Sequence, residues 1–194
     1  MDTLNDFQTS IRRELGDEEI NVNLTFHLTS IYDHSIYEAL SKVVQKLLPQ
    51  VEFITYMLDY LINNCKIEKA FLFDVVSKIY IATDSNPVDL KNYEICSELI
   101  DVLIDVSCIY GTGEKNEGLR FDEESSSIIR LNNPGNEECT VLYLHEVEGF
   151  LALVCLINER EFAKQHLINY NINCFKEGLK KIFETCKKAI KRQA

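Results

Sequence analysis

The residues best suited to chemistry make a short inventory, and each set fails a specific requirement. Gly113 and Gly118 have the spacing of a phosphate-cradling loop, in which backbone N–H groups grip an anion ahead of a Lys and a Ser or Thr. Leu119 and Arg120 follow instead, so the loop lacks both the phosphate-binding cation and the hydroxyl that would hold Mg²⁺. No Asn-Lys-x-Asp stretch is present to read a purine. Asp33 beside His34 reads as a helix-start hydrogen bond rather than an acid–base pair. Asp84 to Asp89 offers two carboxylates without the spacing of a Ca²⁺ loop. Seven cysteines are scattered without a C-x-x-C pair, and the four histidines (His27, His34, His145, His166) are not clustered with them. They read as reduced, mostly buried thiols, and neither a metal site nor a catalytic residue is expected. The chain by itself is expected to be no enzyme and to need no cofactor.

The balance of charge narrows the partners. A formal net charge of −11 argues against nucleic acid, whose phosphates require a basic surface. Lys176, Lys180, Lys181, Lys187, Lys188, Lys191 and Arg192 crowd the C-terminus, which reads as a solvated helix face before it reads as a membrane-touching patch. No run of about 18 apolar residues exists, so no membrane insertion is expected. The polar, acidic first 15 residues do not resemble a secretory or mitochondrial leader, and a cytoplasmic residence follows.

What must position any site is a series of alternating elements. Leu4, Phe7, Ile11 and Leu15 share one face of a helix ending near Gly16. Val22, Leu24, Phe26 and Leu28 alternate as a strand would. Ser35 to Glu38 has the form of a capping box opening a helix that stops at Pro49. A second helix runs from Val51 to Cys65, and residues 67–74 and 77–83 predict a hairpin. Asp84 to Pro87 is turn chemistry. A long helix spans Leu90 to Tyr110, then 111–124 reads as a mobile loop. Strands follow at Ser126–Asn132, Cys139–Val147 and Phe150–Asn158, with turns at Asn133–Asn136 and Glu148–Gly149. A final helix from about Glu161 to Lys191 is expected to be interrupted near Asn169–Asn173. After Pro49 the order is therefore α-β-β-α-β-β-β-α. Its simplest packing is an α/β (α+β) fold in which a five-stranded antiparallel meander carries helices on its faces.

The helix from Leu90 to Tyr110 points outward. Glu94, Glu98, Asp101 and Asp105 recur at i, i+4, i+7 and i+11, a narrow acidic stripe with apolar residues on both flanks. One flank can cover the sheet; the other then calls for a second protein, or else for the terminal helix or the long loop of the same chain. Ser126–Asn132, short and following a loop, reads as an edge strand able to pair across a dimer. Ile95, Leu99, Val102 and Val106 on the helix, with Ile128, Ile129 and Leu131 on the strand, are the expected interface.

Three stretches carry a resemblance: Leu28-TSIYDHSIYEALSKVVQKLL-Pro49, Ile67-EKAFLFDVVSKIYIATDSNPV-Asp89 and Ile100-DVLIDVSCIY-Gly111. In this order they look like the Rag GTPases of the C/D type and their fungal Gtr counterparts, across nearly the whole chain from about Asn21. The resemblance implies that residues 1–49 are the C-terminal remnant of a Ras-like GTPase domain, and that 50–194 are a roadblock/longin-like dimerisation domain. It implies that the turn at Thr29–Ile31 touches guanine in a full-length parent, with the main chain of Ser30 and Ile31 as contacts. The phosphate loop and the site for GTP or GDP with Mg would lie upstream. It also implies a heterodimer with an A/B-type Rag, joined sheet edge to sheet edge, and docking on a Ragulator-like roadblock scaffold. TORC1 components would bind through the full-length pair at the lysosomal or vacuolar surface, in amino-acid signalling. Two other readings stay open: a stand-alone roadblock scaffold subunit, and a small-ligand sensor with a pocket between sheet and helix.

Overall fold

The computed structural model describes residues 2–18, 22–110, 125–132 and 139–193. The expected loop at 111–124, with its glycine pair, and the turn at 133–136 lie outside them. The elements are α1 (Asp2–Asp17), α2 (Ser35–Leu47), α3 (Val51–Cys65), β1 (Ile67–Asp74), β2 (Tyr80–Thr83) and α4 (Leu90–Tyr110). They continue with β3 (Ser126–Asn132), β4 (Cys139–Glu148), β5 (Leu151–Asn158), α5 (Glu159–Phe162) and α6 (Gln165–Gln193).

Every strand pairing is antiparallel, in the order β2-β1-β5-β4-β3. The expected simple meander is thus modified: β3, β4 and β5 follow one another, but β1 docks on β5 and sends β2 to the far edge. Helix α4 is the connection that crosses from one edge to the other. Period-two alternation sorts each strand between two cores. Ala70, Leu72, Val141, Tyr143, Leu153 and Cys155 face α3 and α6. Phe71, Phe73, Leu142, Leu144, Val154 and Leu156 face α4. Both faces are covered, which is why β1 and β5 are apolar almost throughout.

Helices α3 and α6 pack closely at Gly178, where a Cβ would come within 2.5 Å of Met57 Cε. At the β4–β5 turn Gly149 takes φ +61°, the left-handed region that glycine enters at no steric cost. The β1–β2 hairpin uses a different device. Lys78 turns through φ 58°, and Asp74 receives the Val76 N–H at 3.3 Å and the Ser77 hydroxyl at 2.6 Å. Spending 75–79 on this turn shortens the second strand to Tyr80–Thr83.

Three further expectations are corrected. Residues 22–30 form no strand, since among the described residues none lies beside them to complete a ladder. The capping box does not form: Ser35 is the first helical residue and its N–H donates to Asp33 Oδ1 at 2.9 Å. Its hydroxyl instead receives the Ser30 N–H at 2.8 Å, while Glu38 pairs with Lys42 at 2.6 Å. An Asx turn from Asp33 has taken over the role assigned to Ser35. Finally, α6 is continuous through Asn169–Asn173 and the break falls at Ala163–Lys164, between α5 and α6. The asparagines make side-chain bonds outward, Asn169 accepting from the Tyr143 hydroxyl at 2.6 Å and Asn171 donating to Cys65 Sγ at 3.2 Å. Their side chains are thereby occupied without competing for the helix's own backbone bonds.

Candidate pairing face

Helix α4 enters the sheet at its N-terminal half. Tyr93, Cys96, Leu99 and Ile100 are buried against β1, β4 and β5. Toward its C-terminus the helix opens, and Val102, Val106 and Ile109 are exposed at 52%, 46% and 71%. Their i, i+4, i+7 spacing makes one apolar line on the outer side. Glu98 and Asp105 are exposed beside it.

The acidic stripe is divided by its contacts. Asp101 receives Lys78 Nζ at 2.7 Å from the β1–β2 hairpin, and Glu94 Oε1 lies 3.5 Å from His34 Nδ1. Two of the four acids therefore brace α4 within the chain. The Tyr93 hydroxyl adds a third brace, donating to the Lys78 carbonyl at 2.8 Å. Burial pushes the Tyr93 phenol and the Cys96 thiol well up, so both stay neutral packing groups.

The segment entering α4 is held from beneath. Lys69 and Asp84 are both buried; Lys69 Nζ lies 3.1 Å from Asp84 Oδ1 and 2.6 Å from the Asn86 carbonyl. Asp84 also accepts the Ala70 N–H and the Asn86 N–H, each at 2.9 Å. Ser85 donates its N–H and hydroxyl to the Asp59 carboxylate of α3 at 2.7 and 2.5 Å.

Strand β3 ends the sheet, and its alternation is strict. Ile129 and Leu131 turn toward the core under α4, against which Ile95, Leu103 and Ile104 also pack, all partly buried. Ile128 and Arg130 take the opposite face, where Ile128 is exposed and Arg130 Nε meets Glu159 at 3.2 Å. Of the residues expected at an interface, Val102 and Val106 lie on the outer line, Ile95, Ile129 and Leu131 at its margin, and Ile128 on the sheet's other face. Leu99 is corrected: at 2% exposure it belongs to the chain's own core and does not reach outward.

Ile109 was not among the expected residues, although the i+7 step from Val102 carries it. A second row was also missed. Phe53, Tyr56 and Tyr60 are exposed on α3 at i, i+3 and i+7, and Leu167 and Tyr170 are exposed on α6. A groove of about 360 Å³ lies there, lined by Tyr56, Met57, Tyr60, Asn64, Asn171 and Cys174 among others. The signal was legible as a second apolar stripe beside Ile54, Leu58 and Leu61.

Ser30 and Ile31 lie apart from this face, in the turn before α2. The Ser30 N–H is engaged by Ser35, and Ser30 Oγ accepts the Tyr32 N–H at 3.1 Å. Ile31 projects its side chain at 86% exposure. Among the described residues no His, Cys, Asp or Glu cluster could hold a metal, and no helix is long and apolar enough to cross a membrane.

A five-stranded antiparallel sheet with helices on both faces, ended among the described residues by β3, has the architecture of roadblock/MglB-like domains. Myxococcus xanthus MglB superposes with a TM-score of 0.52 at 16% identity, covering 71% of this chain and 92% of that one. The gliding protein MglB of Thermus thermophilus gives 0.51 at 15%, over 71% and 93%. At such identity the likeness concerns the fold alone.

Sequence comparison supplies the family. A model described as the Gtr1/RagA G protein conserved region matches residues 1–100. The Ras-related GTP-binding protein C of Homo sapiens is 53% identical over 185 residues, covering 95% of this chain and 45% of that protein. The GTP-binding protein gtr2 of Schizosaccharomyces pombe is 45% identical over 187 residues, covering 94% and 58%. The chain spans about half the length of these curated relatives. It belongs to the Gtr1/RagA G protein family, on the Rag C/D and Gtr2 side of it.

Proposed function

We propose that this chain is the heterodimerisation and scaffold-docking part of a Rag C/D-type GTPase that signals amino-acid sufficiency to TORC1. Residues 1–49 are the end of the Ras-like domain and 50–194 the roadblock-type domain. The observation that carries the reading is the exposed line Val102, Val106 and Ile109 on α4 together with β3 at the sheet's edge. An exposed aliphatic row on a helix, together with a strand at the sheet's edge, is better satisfied by a partner than by water. An A/B-type Rag presenting its own central helix and edge strand would cover them, the two sheets joining edge to edge.

The α3–α6 row of Phe53, Tyr56 and Tyr60 lies across the sheet from α4, and a Ragulator-like roadblock scaffold would dock there at the lysosomal or vacuolar surface. GTP or GDP with Mg belongs to the full-length parent. Its guanine would meet the turn at Ser30 and Ile31, and the phosphate-binding residues would come from outside this sequence.

The test is co-expression with the C-terminal domain of an A/B-type Rag, followed by light-scattering mass on a sizing column. A one-to-one complex is expected, lost or weakened at least tenfold by Val102→Glu with Val106→Glu, since each places an unpaired charge in an apolar seam. Both positions are exposed, so folding is retained. A complex indifferent to these changes would remove the α4 seam, and a monomer in the presence of the partner would remove the pairing reading.

A further inference from the structure

The two edges of the sheet are treated differently. At β3 no strand among the described residues follows; at β2 a helix takes the place of the missing strand. Ser41, in the middle of α2, is fully buried. Its hydroxyl donates to the Tyr37 carbonyl of its own helix at 2.7 Å and accepts the Tyr80 N–H of β2 at 3.1 Å. One turn on, Gln45 Nε2 lies 3.5 Å from the Tyr80 carbonyl. Two polar side chains thus stand in for a neighbouring strand at one residue of an edge whose backbone groups would otherwise need water.

The same residue leads to α4. The Tyr80 ring meets the Tyr93 ring edge-on with centroids 5.8 Å apart. The His34 ring, just before α2, approaches Tyr93 at 6.2 Å, and its Nδ1 lies 3.5 Å from Glu94. The turn carrying Ser30 and Ile31 is strapped to the start of α2 by the Ser30–Ser35 bond. Turn, α2, Tyr80 and the first turns of α4 therefore form one continuous chain of packed and hydrogen-bonded groups.

We infer that α2 is a latch seated on β2 through Ser41, which couples the turn at 29–35 to the N-terminal half of α4. A displacement of that turn shifts the helix whose far end carries Val102, Val106 and Ile109. What binds at the two ends rests on the proposed function above. The coupling itself is a property of this chain and is measured without any partner.

The measurement is hydrogen–deuterium exchange on the chain alone, comparing the wild type with Ser41→Ala. Removing the hydroxyl leaves the Tyr80 N–H without its acceptor and unseats α2. Exchange is expected to rise about tenfold in 36–47, around Tyr80 and in 90–100, as the loss of one buried acceptor implies. Peptides from α3 and from 168–179 should stay at wild-type rates. Faster exchange in α2 with unchanged rates at 90–100 would overturn the inference, because the latch would then seat without transmitting. Unchanged rates throughout would overturn it as well. If Ser41→Ala does not fold, His34→Ala decides the matter from the surface. Faster exchange at 90–97 sustains the coupling and wild-type exchange there refutes it. A failure to pair with an A/B-type Rag would leave both outcomes readable.

Discussion

Replacing Lys69 by Met tests how the start of α4 is held. The substitution keeps an unbranched apolar stem of similar length and removes only the ammonium group, with its contacts to Asp84 Oδ1 and the Asn86 carbonyl. Asp84 stays fully buried with a carboxylate that has lost its counter-charge. Breaking one side of a buried pair costs about 3–5 kcal/mol. Asp84 retains two backbone donors, the N–H groups of Ala70 and Asn86, which places the expected loss near the lower end, at about 3 kcal/mol. Set against a typical domain stability of about 5–15 kcal/mol, that is a large fraction. With a urea m-value of about 2 kcal/mol/M, the midpoint followed by circular dichroism should fall by about 1.5 M. The double variant Lys69→Met with Asp84→Leu should recover part of the loss, since it removes the orphaned charge. A midpoint shift below about 0.3 M for Lys69→Met would refute the reasoning, for it would mean that Asp84 reaches water or a proton at little cost.

Further outcomes follow from burial and protonation. Leu99→Ala should cost the isolated chain about 2–5 kcal/mol and Val102→Ala less than about 1 kcal/mol by urea titration, because Leu99 fills the core and Val102 faces outward. Burial, with Lys176 nearby, lowers the His145 imidazole from 6.5 to about 4. The unfolded chain therefore binds the extra proton first, and stability present above pH 6.5 should decline as pH falls toward 4. His145→Gln should flatten that part of the pH profile relative to the wild type, and an unchanged slope would exclude His145 as its source. Among the cysteines, Cys108 and Cys174 are exposed, whereas Cys65, Cys96 and Cys155 are buried with their thiols pushed up by burial. A thiol reagent followed by peptide mapping should label the first two in the native protein and the other three only on unfolding.

Helices α3 and α4 were legible with their bounds, because each has a long apolar period that begins shortly after a proline, Pro49 or Pro87. The strands were legible by their β-branched and aromatic runs. What the sequence withheld was orientation. With apolar residues on both flanks of its acidic stripe, α4 has no unique inward face on a helical wheel, and Leu99 was assigned to the wrong side for that reason. The distinction lies in the tertiary packing, where Tyr93, Cys96, Leu99 and Ile100 go down onto the sheet while Lys78 of the hairpin meets Asp101 beside them. Ser41 was hidden differently: a serine inside an amphipathic helix reads as a polar-face residue until a strand edge is found beside it. Lys69 was similarly unreadable, since only the fold brings Asp84 over it. The strand at 22–28 failed because alternation signals half a ladder and cannot supply the other half.

The Ser41 contact also limits how large an assembly β-pairing can make. A sheet with two open ends can add a neighbour at each and grow without limit, as fibres do. Here one end is blunted by a helix that accepts and donates where a strand would. A strand added at that end would have to displace Ser41 and Gln45 from Tyr80. If the proposed pairing runs through β3, the contact that opposes further growth sits at the opposite end of the sheet from the seam, on α2.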